Sequence, residues 1–387
     1  MQFIIKVTSA CNLSCTYCSE GSRKLENLDI ELYKRFIDEI PKLLMYVGHK
    51  NVDIIWHGGE PLVIGKKWIM EATEYTNRVL SDYTLTYSIQ TNATLIDNDW
   101  IRIFKEHNFS IGISLDGYKE LHDQYRISQD GEGTYDSIVN NIELLKSQEI
   151  YPSLLMVLNS TAINLDKLWN TLEKLKLNLK IQPVVPIGKA INQIALARNI
   201  YDNYVSTLKF IFMKLITSDM AITVQPISSI FTKLLTNKST GECSYNGTCT
   251  KNIVTLYPNG DVGFCGRMTN ENKDYIYGSI LNQDMISLYD SEVSKKIRAR
   301  QVFLQENYCK NCAFWEYCHG GCTVDALSSN GDINSKYYYC ESYKELLYYF
   351  MTEGLNELKK SLVNRKMRYR LLIEEKDKLI KELHNER

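Results

Sequence analysis

Eleven cysteines fall in two groups, and any fold of this chain has to gather each group. Cys11, Cys15 and Cys18 form one short run near the start, and the other eight all lie between Cys243 and Cys340. Burial alone gives no reason for such spacing. A disulfide framework does not suit a chain of 387 residues with no export signal, because cytoplasmic thiols stay reduced. Met1 runs straight into a short apolar stretch, without the basic and long apolar regions of a signal peptide, so a cytoplasmic location is expected. The longest apolar runs, such as Phe3 to Val7 and Ser153 to Leu158, are strand-sized and far short of the roughly 20 residues of a membrane span. No membrane contact is expected. A formal net charge of −1 leaves no electrostatic footprint for nucleic acid or an anionic surface. Metal then becomes the economical use of the thiols, with scattered structural thiols as the plain alternative.

Between the two groups the pattern is one of repeated βα units. Strand candidates are Phe3 to Val7, Val52 to Trp56, Thr84 to Gln90, Ser110 to Leu115, Pro152 to Leu158 and Leu179 to Val184. Amphipathic stretches such as Asp29 to Leu44, Lys66 to Leu80 and Tyr135 to Ser147 lie between them. This predicts an α/β fold with a six-stranded parallel sheet, open or curled into a partial (β/α)6 TIM-like barrel, and function in the loops at the strands' C-terminal ends. A helical segment from about Ala197 leads into a region rich in Gly, Asn, Tyr and Cys. The expected division is a core over 1–205, a helical linker over 206–235, a small cysteine-rich α+β domain over 236–345 and a C-terminal helix over 346–387. Leu355, Leu358 and Leu362 at helical spacing give that helix an apolar edge, read as packing on its own domain rather than a partner-binding coiled coil.

Cys11, Cys15 and Cys18 follow the first strand as C-x3-C-x2-C. Three thiolates neither close a zinc tetrahedron nor saturate a 4Fe-4S cluster, so one iron would stay open to an exogenous ligand. The run CNLSCTYC, with Tyr17 before the last cysteine, resembles the signature of the radical S-adenosylmethionine (SAM) superfamily. The resemblance implies that SAM chelates the open iron and is split to methionine and a 5'-deoxyadenosyl radical, which abstracts a substrate hydrogen. It implies a SAM site as well. Gly58, Gly59 and Glu60 resemble the motif that holds the SAM ammonium, with Asn92 at the end of the third strand. Ser114 resembles a ribose contact, Arg126 a partner of the SAM carboxylate and Ile187 an adenine-packing residue. His57 and His122 read as hydrogen-bonded structural groups. Gly131-Glu132-Gly133 reads as a turn, since it lacks the Gly-Lys-Ser/Thr ending of a phosphate loop.

The eight later cysteines suffice for two closed four-cysteine clusters, or for two zinc sites. Gly260-x4-Cys265 with Cys309-x2-Cys312-x5-Cys318-x3-Cys322 and a trailing Cys340 resembles the SPASM domain, the auxiliary-cluster module of many radical SAM enzymes. By that resemblance Cys243, Cys249, Cys265 and Cys322 hold one auxiliary cluster, and Cys309, Cys312, Cys318 and Cys340 the other. Three 4Fe-4S clusters and SAM are then the expected cofactors. The auxiliary pair would relay electrons or tune the site.

Enzymes with this module are maturases of ribosomal peptides or anaerobic sulfatase maturases, which oxidise Cys or Ser to formylglycine. The second group carries an acid immediately after the third auxiliary cysteine, where this chain has Gly266. That departure favours a peptide-modifying maturase forming thioether, carbon–carbon or related products, with the sulfatase maturase as the alternative. The expected partners are a peptide or protein substrate, a flavodoxin- or ferredoxin-type reductant and a separate leader-binding protein. Asp116, Asp261 and Arg267 are candidates for catalytic groups. A small-molecule dehydrogenase and a non-catalytic electron-transfer protein are further readings, the last opposed by the SAM-site matches.

Overall fold

The computed structural model describes residues 1–364 apart from 22–24, 161, 239–242, 246 and 270–271, with no account of the side chains of 192–198. Residues 365–387 of the expected terminal helix lie outside the described residues. Six strands pair in parallel and in sequence order: β1 Gln2–Thr8, β2 Asn51–Gly58, β3 Thr84–Thr91, β4 Phe109–Ser114, β5 Ser153–Leu158 and β6 Leu179–Pro183. Each contains or nearly matches an expected strand. Helices cross between them, as sequential parallel strands require. The first, α1 Ile30–Val47, starts where Asp29 accepts hydrogen bonds from the Glu31 and Leu32 amides at 2.9 and 3.2 Å, and it stops at Gly48 in the left-handed region. Its Tyr33, Phe36, Ile37, Ile40, Leu43 and Leu44 are buried. The α2 helix Lys66–Val79 packs beside it.

The sheet is strongly curled. Laid flat, β1 and β6 would stand five strand spacings, about 24 Å, apart. Yet the Lys189 amide, beyond β6, donates to the Cys18 carbonyl, beyond β1, at 2.9 Å. The sheet also continues past both ends of the six. The short β7 Val224–Gln225 pairs with β6, and β8 Ile253–Leu256 pairs in parallel with β1, Gln2 opposite Ile253. Then β9 Asp261–Gly263 and β10 Ile276–Ser279 follow antiparallel, giving ten strands in one sheet. The cysteine-rich region is therefore hydrogen-bonded directly to the first strand, across the boundary expected near 235. With neighbours on both edges, β1 lies inside the sheet, and its C-terminal half is buried on both faces, Lys6 included. That ammonium is satisfied by Glu20 Oε1 at 2.6 Å and the Met268 carbonyl at 2.7 Å, so it ties the cysteine loop to the C-terminal region.

In the later region Arg300, on the helix Glu292–Asn307, is buried and donates to the carbonyls of Gly320, Gly321, Ile333 and Ser335. It holds the turns around Cys318 and Cys322. The helix Cys340–Tyr349 returns to the core, where Tyr339 stacks on Tyr201 at 4.2 Å and Tyr343 on Tyr245 at 4.0 Å. Beyond it Leu355 and Leu358 pack against the core and Leu362 is exposed. Among the described residues no helix is long and apolar enough to cross a membrane.

The curl has one steric requirement. Gly188 has φ +57°, and a Cβ there would stand 2.4 Å from the Cys18 carbonyl oxygen. Gly188→Ala is expected to destabilise the cluster-free chain by about 3 kcal/mol in chemical denaturation, combining left-handed strain with a backbone clash. Gly131→Ala, at φ +85° with nothing within 4 Å, is expected to cost only about 1 kcal/mol.

Candidate active site

The three early cysteines sit in the loop between β1 and α1. Its backbone is held on one flank by residues 125–129: the Ser14 and Thr16 amides donate to the carbonyls of Ile127 and Tyr125 at 2.8 and 3.0 Å. Gln129 Nε2 adds bonds to the Cys11 and Leu13 carbonyls, each at 3.0 Å. The other flank is the Lys189 contact described above. With its backbone groups engaged in this way, the loop can present thiols to a cavity.

That cavity opens at the C-terminal ends of the parallel strands. Cys11, Cys15 and Cys18 line it together with Tyr17, Gly58, Gly59, Glu60, Asn92, Ser114, Arg126 and Ile187. Residues from all six units thus share one wall, the fifth contributing Leu155 and Val157 of β5 itself. The Gly59 and Glu60 amides donate to the Thr8 and Ala10 carbonyls, both at 2.8 Å, so the glycine turn lies against the end of β1. A Cβ at Gly59 would stand 2.2 Å from the Ala10 carbonyl oxygen, which is why no larger residue fits there. Glu60 is buried and accepts from Thr91 Oγ1 at 2.7 Å, the Leu62 amide at 3.1 Å and the Asn92 amide at 2.7 Å. Burial pushes its carboxyl up to about 7 despite these three donors.

Asp116, at the end of β4, does not line the cavity. It is buried behind it, accepting from Arg126 Nε at 2.9 Å, from the Val157 amide at 2.9 Å and from the Tyr17 hydroxyl. Its place is to aim Arg126 and Tyr17, with the guanidinium 5.3 Å from the Tyr17 ring. His122 is also buried, bonded to the Asp116 amide and Thr134, and burial pushes it down to about 4. It is a structural group, as expected. Gly131 lies in a turn closed by its amide on the Ser128 carbonyl. Asp261 faces Lys273 at 2.6 Å and is not among the cavity residues. Arg267 does line the cavity.

The later cysteines also gather. Cys309, Cys312, Cys318 and Cys340 line one small cavity with Phe314, Trp315, Tyr337 and Tyr343. Cys249, Cys265 and Cys322 are pushed up by burial first, and the nearby Cys243 thiolate acts in the same direction on all three. Every cysteine is free of disulfides, and burial pushes Cys11, Cys249 and Cys318 up to about 12. Metal loading must therefore displace protons from these thiols. Among the described residues no three His, Cys, Asp or Glu side chains converge at single-ion distance. The gathering is by shared cavity, which suits ligands that span a cluster.

Sequence reasoning missed Gln129 and Gln182, which touch the loop and the cavity, and Asp325, which anchors Arg267. Gln182 lies at the C-terminal end of β6, where the fold class alone points. Gln129 and Asp325 carry no motif.

Comparison with known proteins bears on this arrangement. Residues 5–175 match the radical SAM superfamily, and residues 243–313 match the SPASM iron-sulfur cluster-binding domain. A cysteine-type anaerobic sulfatase-maturating enzyme of Clostridium novyi is 27% identical over 89% of this chain and 93% of its own. A serine-type counterpart from Klebsiella aerogenes is 27% identical over 81% of this chain and 77% of its own. The anSMEcpe structure with bound AdoMet and Kp18Cys peptide shares the fold, with a TM-score of 0.79 at 24% identity over 93% of this chain and 99% of that one. The chain thus carries a radical SAM domain over residues 5–175, built on the curled sheet, and a SPASM iron-sulfur cluster-binding domain over residues 243–313, joined to its first strand.

Proposed function

We propose that this chain is a formylglycine-generating maturase, oxidising a cysteine or serine side chain of a protein or peptide to an aldehyde. The observation that carries the reading is the alignment, over most of both chains, with cysteine-type and serine-type sulfatase-maturating enzymes. A peptide in a structure of the same fold fits a macromolecular substrate. Gly266 alone favours a peptide-crosslinking maturase. Relatives matched across hundreds of residues outweigh that single position, so the order of the two readings is reversed.

The residues present fit the expected cofactors. Cys11, Cys15 and Cys18 would hold the SAM-cleaving cluster, and the two later sets of four would hold auxiliary clusters. When bound, SAM supplies a carbon radical that takes a hydrogen atom from substrate. The chain's own part is placement. Glu60 and the turn at Gly58 and Gly59 would take the SAM ammonium, Arg126, aimed by Asp116, the carboxylate, Ser114 and Asn92 the ribose side, and Ile187 the adenine.

Two outcomes test this. Anaerobically reconstituted enzyme, given reductant, SAM and a sulfatase-derived cysteine or serine peptide, is expected to yield formylglycine detectable by mass; a crosslinked product instead would reverse the reading. The second concerns Glu60, whose carboxyl is protonated below about 7 and therefore attracts an ammonium only above that value. SAM affinity, measured by equilibrium binding, should rise about tenfold from about pH 6 to about pH 7.5, below the point where the α-ammonium itself titrates. Glu60→Gln should bind at least about tenfold more weakly at pH 7.5 and show no such rise.

A further inference from the structure

Formylglycine formation asks more of the site than hydrogen abstraction. Once a hydrogen atom has left Cβ, the substrate side chain must lose an electron and, if its heteroatom is protonated, a proton. Few groups in the wall can take that proton: His57 lines it, but its Nδ1 already accepts from the Gly58 amide at 2.8 Å. Gly266 has no side chain, and an added Cβ would stand 3.0 Å from Ile4 Cγ2. Asp116 and Asp261 lie outside the cavity. Glu60 accepts from three donors and is assigned to the SAM ammonium, and Glu20 is held by Lys6 at 2.6 Å.

What the wall offers is a cation. Arg267 lines both the SAM-side cavity and a wider cavity adjoining it, the two sharing Ser19, Glu20, Ile187 and Arg267. Nη1 donates to Asp325 Oδ1 at 3.2 Å and Nη2 to Gln182 Oε1. A guanidinium carries five N–H groups, so three have no partner among the described residues. The fork is thereby fixed on β6 and on the helix Thr323–Asn330, with donors left over at the junction of the cavities.

We infer that Arg267 binds the substrate cysteine as its thiolate, and that the chain consequently selects cysteine over serine. This rests on the formylglycine reading. A thiol with a free pKa near 8.5 ionises readily beside a cation, whereas a serine hydroxyl does not. The chemistry then balances without a base. Bound SAM would supply the radical that takes the Cβ hydrogen atom, and an auxiliary cluster held by Cys243, Cys249, Cys265 and Cys322 would supply the one-electron acceptor; with S⁻ beside Arg267 the C–S bond then becomes double and no proton leaves the side chain. Water then replaces sulfur, giving the aldehyde and hydrogen sulfide. A serine would have to shed a proton at the electron-transfer step.

His57, Glu60 and Arg126 line the SAM-side cavity with Arg267, and Lys180 and Asp325 line a small one with it. Asp325 balances one arm of the fork, and Cys243, Cys265 and Cys322 lie on its auxiliary-cluster side. Glu20 and Lys6 form a matched pair on the cysteine loop and β1, while Lys273 and Asp274 bring one charge of each sign to the wider cavity. The incoming thiolate meets the unused donors as a charge-assisted acceptor.

The test uses reconstituted holoenzyme without reductant and labelled sulfatase-derived peptides identical except for Cys, Ser or Ala at the target. Affinity for the Cys peptide, by fluorescence anisotropy, should rise about tenfold from about pH 6.5 to about pH 8.5, where the free thiol ionises. Affinities for the Ser and Ala peptides should stay flat. Arg267→Gln should abolish the rise and Arg267→Lys should keep part of it, with Ala-peptide binding reporting that each variant is folded. With reductant and SAM, the Cys peptide should be converted at least about tenfold faster than the Ser peptide. A pH-independent affinity in wild type, or equal conversion of both peptides, overturns the inference and leaves the formylglycine reading standing. Conversion of neither peptide overturns both.

Discussion

Closure of the cysteine loop against the end of β6 is the contact on which the rest of the site depends. Without it, Cys18 and Ile187 would belong to opposite edges of a sheet. With it, residues from all six βα units converge on one cavity. The bond itself is modest, one amide to one carbonyl, and its worth lies in satisfying buried backbone that would otherwise be costly. Gly188 permits the approach, and the segment 125–129 holds the loop's other flank. Loop conformation is thus set by main-chain partners, leaving the thiols for the cofactor.

The same economy joins the two cysteine-bearing regions. Pairing of β8 with β1 and the bridge from Lys6 to the Met268 carbonyl make the auxiliary region part of the radical domain's own core. Gly266 and Arg267, immediately beyond Cys265, therefore form part of the wall that holds Cys11, Cys15 and Cys18. Arg300, spanning four carbonyls, and the stacked tyrosines keep the later cysteines in place.

Much of this was legible in the sequence because its signals are local and periodic. Strand limits came within a residue or two where apolar runs were bounded by turns. The family resemblance carried by the cysteine spacings and the glycine turn at Gly58 and Gly59 named residues that share the cavity. What escaped was non-local. Ile253 to Leu256 is a short run, Ile-Val-Thr-Leu, that nothing in sequence marks as the neighbour of β1. Arg300 and Asp325 look like solvated charges on helices, and only tertiary packing buries them. Asp116 invited a catalytic reading through its place after β4, yet its oxygens are spent on aiming Arg126 and Tyr17. Substrate choice was weighed on one position, Gly266, when the property of interest belongs to a wall built from β6, the cysteine loop and the segment after Cys265.

The most direct measurement is iron and sulfide content with SAM cleavage under anaerobic reduction, in wild type and in a Cys11, Cys15 and Cys18 to Ala triple variant. The account predicts about twelve irons per wild-type chain and about eight in the variant, with 5'-deoxyadenosine formed only by wild type. Few irons in wild type, or SAM cleavage that survives loss of the three cysteines, would contradict it.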